Sequence, residues 1–333
     1  MAIWPNSTGR EERGIVPAGA SGPKGPTALS VPARLFFCAL GGAVASTSLS
    51  AVAPALVAYG YGFSTADGAR GRAGSLVAAL VPAAALSLSL GPASVVAALA
   101  CCLVAVATSE LVARGRFGAG AACLVVAAAA AACLAADALV VASVGTTIPA
   151  LVNGLLDTYL RGLGDLALVQ SLRAAVTLLW PVAYVVASLV ELLAALLGTR
   201  LAADRSAGEL SRPPRLVAFD VPLWVVAALV ASAAGLAAAL TVEAVPGLVL
   251  MVSANVAMAL RFAFAAQGLA VLVWFVRSRS ASPTIATLLG VAALYLEAQF
   301  FVLTVAGLVD VWANFRHLAR GGSSGAAGGA KQD

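Results

Sequence analysis

Residues 118–143 read GAGAACLVVAAAAAACLAADALVVAS, and Asp137 is the only charged residue among them. A run this long and this apolar exceeds the ~20 residues that an α-helix needs to cross the ~30 Å hydrocarbon core of a bilayer. Similar runs recur along the chain, which is 61% hydrophobic and only 11% charged. Soluble domains carry about 25% charged residues, so the sequence predicts an all-α, polytopic transmembrane helical bundle held in a lipid bilayer.

The apolar runs predict about eight transmembrane spans, with seven or nine as alternatives. The approximate spans are 35–58, 75–90, 93–113, 118–143, 171–197, 216–240, 247–276 and 284–312. Only Gly91-Pro92 separates the second run from the third, so these two form either a tight helical hairpin or a broken element that crosses once. The run over 247–276 is too long for one upright helix, which suggests an interfacial stretch before the crossing.

The segments outside the spans divide the chain into three parts. Residues 1–34 are rich in proline and glycine and predict a disordered tail, 35–316 form a single transmembrane domain, and 317–333 form a flexible tail. The longest connection, 145–170, carries Asp157, Arg161 and Asp165 at four-residue spacing, which predicts an amphipathic helix on the membrane surface. With eight crossings, nine Arg and Lys residues lie on the side of the N-terminus and ten on the other, so the positive-inside rule gives no orientation.

Composition excludes several classes of function. The net charge of +5 comes from arginines scattered between apolar runs, with only two lysines, so nucleic acid is not an expected partner. The single histidine, His317, disfavours a histidine metal centre or a Ser/His catalytic arrangement. The five cysteines lie within apolar runs and form no CxxC pair, and the sequence contains neither HExxH nor GxxxxGK[ST]. We therefore expect no enzyme activity, metal or cofactor.

Polar residues inside the spans are the informative positions, because a charge at the bilayer centre costs from about 2.5 kcal/mol upward. They concentrate in the last two runs, where the candidate solute-binding residues are Asn255, Arg261, Gln267, Glu297 and Asp310. Arg261 and Glu297 are the leading candidate ion pair, either within a solute pocket or as a structural link between two helices. On one straight helix, Asn255, Arg261 and Gln267 point about 120° apart, which argues against a cavity shared by all three.

Two further patterns concern helix packing and helix ends. Gly42, Ser46 and Ser50 recur every four positions in the first span, and such a small-residue stripe lets another helix of the bundle, or of a partner, approach closely. Asp310 and Arg316 are six residues apart and lie on different faces of a continuous helix. These two side chains can therefore pair only after a bend in the chain.

Motifs in the C-terminal part of the chain resemble a known family. They are Asn255 and Gln267-Gly268 within the run 255–271, then Gly307, Asp310, Trp312 and Arg316, and before them the run Phe219-Asp-Val-Pro222-Leu-Trp224. Together they resemble the closing half of the YybS-like family, predicted polytopic membrane proteins that carry a domain of unknown function. The resemblance covers roughly residues 215–320, and the preceding two hundred residues fit by hydropathy alone.

The resemblance implies a protein of the bacterial cytoplasmic membrane. The YybS-like family is associated with the S components of energy-coupling factor transporters, which bind a small solute and dock on a scaffold subunit that works with an ATPase. A small-residue stripe on an early helix serves that docking, and Gly42, Ser46 and Ser50 are placed to form one. The expected function is thus a transport-related membrane subunit that binds an unknown small solute. The alternative is a non-catalytic scaffold or regulator that packs against other membrane proteins.

Overall fold

The structure is a computed structural model that describes residues 29–161, 166–206, 208–280 and 282–318. Over these residues the chain forms twelve α-helices and no β-strand. The helices are α1 (Val31–Ala45), α2 (Ala53–Ser64), α3 (Ala69–Ser87), α4 (Pro92–Ala113), α5 (Ala119–Ser143), α6 (Ile148–Leu160), α7 (Leu166–Leu179), α8 (Val182–Arg205), α9 (Leu223–Thr241), α10 (Gly247–Ser278), α11 (Pro283–Phe300) and α12 (Val302–Ala313).

Seven of the described helices are long and apolar enough to cross a membrane, namely α3 with its 3-10 extension to Leu90, then α4, α5, α8, α9, α10 and α11. The predicted all-α, polytopic architecture is confirmed, and seven is the lower end of the expected number of spans. Residues 1–28 of the predicted N-terminal tail, residues 319–333 of the C-terminal tail, and Asp165 lie outside the described residues.

The long helices run up and down, so their ends meet at two faces of the bundle. We define the lower face by the start of α3, the ends of α4 and α8, and the starts of α5 and α9. Here the hydroxyls of Ser109 and Thr199 lie 3.2 Å apart. At the opposite, upper face, the hydroxyl of Tyr184 near the start of α8 donates to Asp137 Oδ2 near the end of α5 at 2.5 Å. Helices α6 and α7 connect α5 to α8 at the upper face.

The first predicted span, 35–58, is wrong, because this run forms the two short helices α1 and α2. A Cβ atom on Gly60 would lie 2.7 Å from the carbonyl oxygen of Arg34, and one on Gly41 would lie 2.6 Å from Val57. The two helices are therefore antiparallel and packed closely against each other. Their 15 and 12 residues give lengths of ~22 and ~18 Å, too short for a ~30 Å bilayer core. The run is a helical hairpin that leaves the bundle on the face where it entered.

The turn of this hairpin lies near the middle of the bundle. In α1, Gly42 packs directly on the backbone carbonyl of Ala79, which is about halfway along α3. Cys101, near the middle of α4, donates its thiol to the carbonyl of Ser50 at 3.7 Å. The beginning of α1 lies at the lower face, where Arg34 bonds to the carbonyl of Phe63 at the end of α2. The hairpin thus enters from the lower face and reaches about half the depth of the bundle.

Local hydrogen bonds explain why the chain turns here. The hydroxyls of Ser46 and Thr47 donate to the carbonyls of Ala43 and Val44 at 2.8 Å each, and such bonds compete with helix continuation. Since α1 ends at Ala45, the expected stripe of Gly42, Ser46 and Ser50 does not lie on one helix. Gly42 lies at a close helix–helix contact, and that contact is with α3 of the same chain.

Two other predicted spans are also interrupted. The span 171–197 is divided at Trp180-Pro181 into α7 and α8, because proline lacks the N–H that a continuous helix requires. The resulting α8 continues to Arg205, beyond the predicted end. The span 284–312 is divided at Phe301, whose φ of 57° is left-handed, into α11 and α12.

Two alternatives that the sequence leaves open concern the connection between α3 and α4 and the continuity of α10. Gly91 has a φ of 106°, a conformation that glycine adopts at low cost, and it reverses the chain between α3 and α4. These helices therefore form the tight hairpin and not a single broken crossing. The run over 247–276 does not contain an interfacial break: α10 is one helix of 32 residues, ~48 Å long, and must tilt or project beyond the hydrocarbon core.

The C-terminal helices pack through two glycines. Gly268 on α10 lies against the backbone carbonyl of Leu303, and Gly307 on α12 lies against the carbonyl of Phe264. Because neither glycine has a side chain, the two backbones meet directly. Phe264 is fully buried at this crossing and packs with Val225 of α9 and Val311 of α12. This crossing fixes the position of α12 and of the residues that follow it.

Candidate functional site

The five candidate residues lie in three separate places. Gln267 and Asp310 share a buried polar cluster at the lower face. Arg261 and Glu297 meet at the break between α11 and α12. Asn255 lies apart from both and bonds to α7. The three α10 residues thus point in different directions, as their spacing predicts, and no single cavity unites the set.

The buried cluster joins α9, α10 and α12. Gln267 is fully buried, accepts from the backbone N–H of Val221 at 2.8 Å and donates to Asp310 Oδ2 at 3.0 Å. Asp310 is also fully buried and accepts two bonds from the guanidinium of Arg316, of 3.2 and 2.8 Å. Asn314, with a φ of 46°, ends α12 and turns the chain so that this pairing occurs.

The remaining donors of Arg316 also have partners. Its Nη1 donates to the carbonyls of Val217 and Phe219 at 2.8 Å each, and Asp220 lies 3.9 Å from Nη2. The second oxygen of Asp310 accepts the N–H of Phe315 at 2.9 Å. A buried charge network is stable only when its members are satisfied in this way. The cluster therefore holds the loop before α9 against the end of α12, which is a structural role.

The second place is an ion pair that supports the helix break. Arg261 Nε donates to Glu297 Oε1 at 3.0 Å, and Nη2 donates to the backbone carbonyl of the same glutamate at 2.8 Å. The guanidinium also lies over the ring of Phe301, 3.9 Å from its centroid. Glu297 in turn accepts the N–H of Thr304 at 2.9 Å and its hydroxyl at 2.6 Å. The carboxylate thus caps the N-terminus of α12, where negative charge is favourable.

We expect Thr304→Val to destabilise the fold by about 1.5 kcal/mol, because it removes one hydrogen bond to an ionised carboxylate while preserving side-chain shape. Thr287→Val on α11 is the control, since that exposed hydroxyl bonds only to the carbonyl of Pro283. The free energy of unfolding in mixed micelles titrated with SDS, followed by tryptophan fluorescence, measures both. Equal losses of stability in the two variants would show that the hydrogen bond from Thr304 to Glu297 does not stabilise the fold.

Asn255 lies next to a cleft between α7 and α10. Its Nδ2 donates to the carbonyls of Leu178 and Met251 at 2.8 and 2.7 Å, and both of these residues line the cleft. Its Oδ1 is buried without a hydrogen-bond partner in the described structure, as is Nε1 of Trp180. Buried polar atoms are normally bonded. An acceptor and a donor without partners therefore lie close to this cleft.

The cleft has a volume of about 440 Å³ and is a shallow depression that is largely open to its surroundings. Its lining combines polar and apolar side chains: Gln170, Arg173, Ala174, Thr177, Leu178 and Met251. A neighbouring cleft of about 400 Å³ shares Arg173 and adds Asp157 and Arg161. Both volumes lie in the range of small-molecule sites, ~300–1,000 Å³. The hydropathy of the sequence does not reveal the first cleft. The signal that could have found it is the i, i+3, i+7 spacing of Gln170, Arg173 and Thr177, which places these polar residues on one helix face.

The helix α7 is held in place by its pairing with α6. Arg173 Nη2 lies 2.6 Å from Asp157 Oδ1, and the hydroxyl of Thr177 donates to Asn153 Oδ1 at 3.3 Å. The position on α6 falls from 157 to 153 as the position on α7 rises from 173 to 177, so α6 and α7 are antiparallel. The predicted amphipathic surface helix corresponds to α6, which carries Asp157 and ends before Arg161.

Chemically, the α7–α10 cleft offers groups that can bind a ligand. It presents a cation, an amide and a hydroxyl beside an apolar wall. Among the described residues, no group of three or more His, Cys, Asp or Glu side chains is placed to bind a metal ion.

The fold and these sites define a polytopic helical membrane protein. Comparisons with protein-family models, with curated proteins and with solved structures give no match. The resemblance to the YybS-like family therefore stays a prediction.

Proposed function

We propose that the protein is a transport-related subunit of the bacterial cytoplasmic membrane that binds a small solute between its helices, in the α7–α10 cleft. The observation that carries this proposal is the lining of the cleft, which brings the guanidinium of Arg173 and the hydroxyl of Thr177 together with apolar side chains. The resemblance to the YybS-like family supports the same class, and implies a scaffold subunit and an ATPase as partners.

The lining favours a particular class of solute. Arg173 supplies a guanidinium that is 41% exposed despite its ion pair with Asp157, so it can take a second anionic partner. Leu178 and Met251 supply an apolar wall on the same cleft. Sites of this kind orient a ligand by a few polar groups and bury its apolar part. The solute is accordingly a small organic anion with an apolar body.

The test is a thermal-shift screen of the purified protein in nanodiscs against small carboxylates, vitamins, nucleobases and metal ions. We expect a carboxylate or a carboxylate-bearing vitamin to raise the melting temperature. Arg173→Ala should weaken its binding about tenfold or more, since a charged hydrogen bond contributes ~1.5–3 kcal/mol. No stabilisation by any compound, with no ATPase recovered alongside the protein from membranes, would contradict the proposal.

Two further variants separate binding from folding. Thr177→Val removes a hydroxyl of the lining without touching the Arg173–Asp157 pair, and should weaken binding of the same compound less than Arg173→Ala. Arg200→Ala is the matched control, because Arg200 is 73% exposed and pairs weakly with Asp204 at 3.7 Å on the lower face. The binding constant of that control should equal that of the unmodified protein.

The alternative function, a membrane scaffold or regulator, has less support. Its basis in the sequence is the stripe of Gly42, Ser46 and Ser50, which does not lie on one helix. Gly42 is buried against α3 and is not available to a partner. Crosslinking from Ser46 and Ser50 that captures another membrane protein would favour the scaffold over the solute-binding subunit.

A further inference from the structure

Two arginines from neighbouring helices meet at one carboxylate at the lower face. Glu110 lies near the end of α4, and its Oε2 is 2.8 Å from Arg114 Nη2 and 3.4 Å from Arg72 Nη1. The other oxygen of Glu110 accepts the hydroxyl of Tyr61 at 3.0 Å. Arg72, near the start of α3, also donates from Nη2 to the carbonyl of Thr65 at 2.7 Å. The two guanidinium groups are therefore held beside each other at the same oxygen atom.

A single carboxylate does not neutralise the positive charge at this place. Residues 69–116 carry four arginines, and Glu110 is their only acidic residue. The side chain of Arg114 is 60% exposed and that of Arg72 is 36% exposed, so both can reach a second partner in addition to Glu110. Arg70 and Arg116 form no ion pair with the described residues. This excess of positive charge favours an anionic ligand.

The surface of the two helices above these arginines is apolar and exposed. Leu103 is exposed and lies about three helical turns from Arg114, on the same face of α4. On α3, Val77 and Val81 are more than half exposed. Since both helices are long and apolar enough to cross a membrane, these side chains face acyl chains, and the guanidinium groups lie at the ends of the spans, near the headgroups. A phospholipid carries its apolar chains and its phosphate in the matching order, whereas a free phosphate would use the guanidinium groups alone.

We propose that Arg72 and Arg114 bind the phosphate of an anionic phospholipid, and that an acyl chain of this lipid lies along the exposed apolar face of α4. Guanidinium groups form strong, charge-assisted hydrogen bonds to phosphate oxygens, and basic pockets between transmembrane helices bind anionic headgroups. Glu110 is a positioning residue, because it holds both guanidinium groups in place. This inference is independent of the proposed solute cleft, since it rests on α3 and α4 and on none of the cleft residues.

The lipid preference of the unmodified chain is the first test. Native mass spectrometry of the full chain in detergent micelles, titrated with phosphatidylglycerol or with phosphatidylcholine of the same acyl chains, measures the fraction of protein that carries lipid. Phosphatidylglycerol should bind at least about fivefold more tightly, the factor that one arginine contributes at an anionic membrane surface. Inorganic phosphate in excess should not displace this lipid, because it has no acyl chain. Equal binding of the two lipids, or displacement by inorganic phosphate, would overturn the proposal.

Single substitutions locate the site. Arg114→Gln removes one guanidinium group while Arg72 still pairs with Glu110, and should weaken phosphatidylglycerol binding about tenfold or more, the effect of losing a charged hydrogen bond. Arg279→Gln is the matched control, because Arg279 is exposed at the same face and forms no ion pair with the described residues. Its affinity should equal that of the unmodified protein. An equal loss in both variants would indicate a general attraction to the basic face and would overturn the site. Should Arg114→Gln not fold, the lipid preference of the unmodified chain decides the question.

Discussion

Asp310→Asn is expected to destabilise the protein by about 3–5 kcal/mol, the cost of leaving a buried charge without its partner. Arg316 is buried, and Asp310 supplies two of its hydrogen bonds. Asparagine keeps the size of the side chain but removes the negative charge, so the effect isolates electrostatics from packing. Because many proteins are stable by only ~5–15 kcal/mol, the folded yield from membranes should fall sharply as well.

The same SDS titration measures this loss against a matched substitution. Asp204→Asn changes an aspartate whose partners Arg200 and Arg212 are both more than two-thirds exposed. An exposed ion pair contributes ~0–1 kcal/mol, so this variant should unfold close to the unmodified protein. A loss at residue 310 no greater than that at residue 204 would contradict the structural role of the buried cluster.

Gly268→Leu is expected to separate α10 from α12. A Cβ atom alone at residue 268 would clash with the backbone carbonyl of Leu303, and a backbone atom cannot move aside as a flexible side chain can. Overpacking of a core costs ~1–3 kcal/mol and occasionally more. We expect the upper end of that range, together with loss of the alignment between Gln267 and Asp310.

Gly290→Leu provides the comparison for this variant. Gly290 also lies within a helix, α11, but a Cβ atom there would have no neighbour within 4 Å. Since leucine favours the helix over glycine by up to ~1 kcal/mol, this variant should be as stable as the unmodified protein or slightly more so. If both substitutions had the same effect, the glycine crossing would not hold the two helices together.

The sequence predicts those features that depend on strong, local signals. The apolar run 118–143 becomes α5 (Ala119–Ser143) almost residue for residue, because it contains no proline and only one charged residue to interrupt a helix. The Arg261–Glu297 pair follows from the cost of an unpaired charge within a span, and the structure brings the two side chains together. The bend that Asp310 and Arg316 require is also present, at Asn314.

Other features depend on contacts that composition does not encode. A run such as 35–58 has the same mean hydropathy whether it crosses or folds back, and the turn depends on the hydroxyls of Ser46 and Thr47. The break at Phe301 contains no proline or glycine that would predict it. It is stabilised by the hydrogen bonds between Glu297 on α11 and Thr304 on α12. The α7–α10 cleft cannot be predicted from local sequence patterns, because its lining comes from two runs about 80 positions apart.

The hairpin that returns to its own face also changes the count of crossings, and with it the membrane topology. Counted on the described residues, twelve arginines now lie at the lower face, at helix ends or in loops: Arg34, Arg70, Arg72, Arg114, Arg116, Arg200, Arg205, Arg212, Arg215, Arg277, Arg279 and Arg316. Of the arginines that the structure describes, only Arg161 and Arg173 lie at the upper face. Cytoplasmic loops carry the excess of basic residues, so the lower face is predicted to be cytoplasmic.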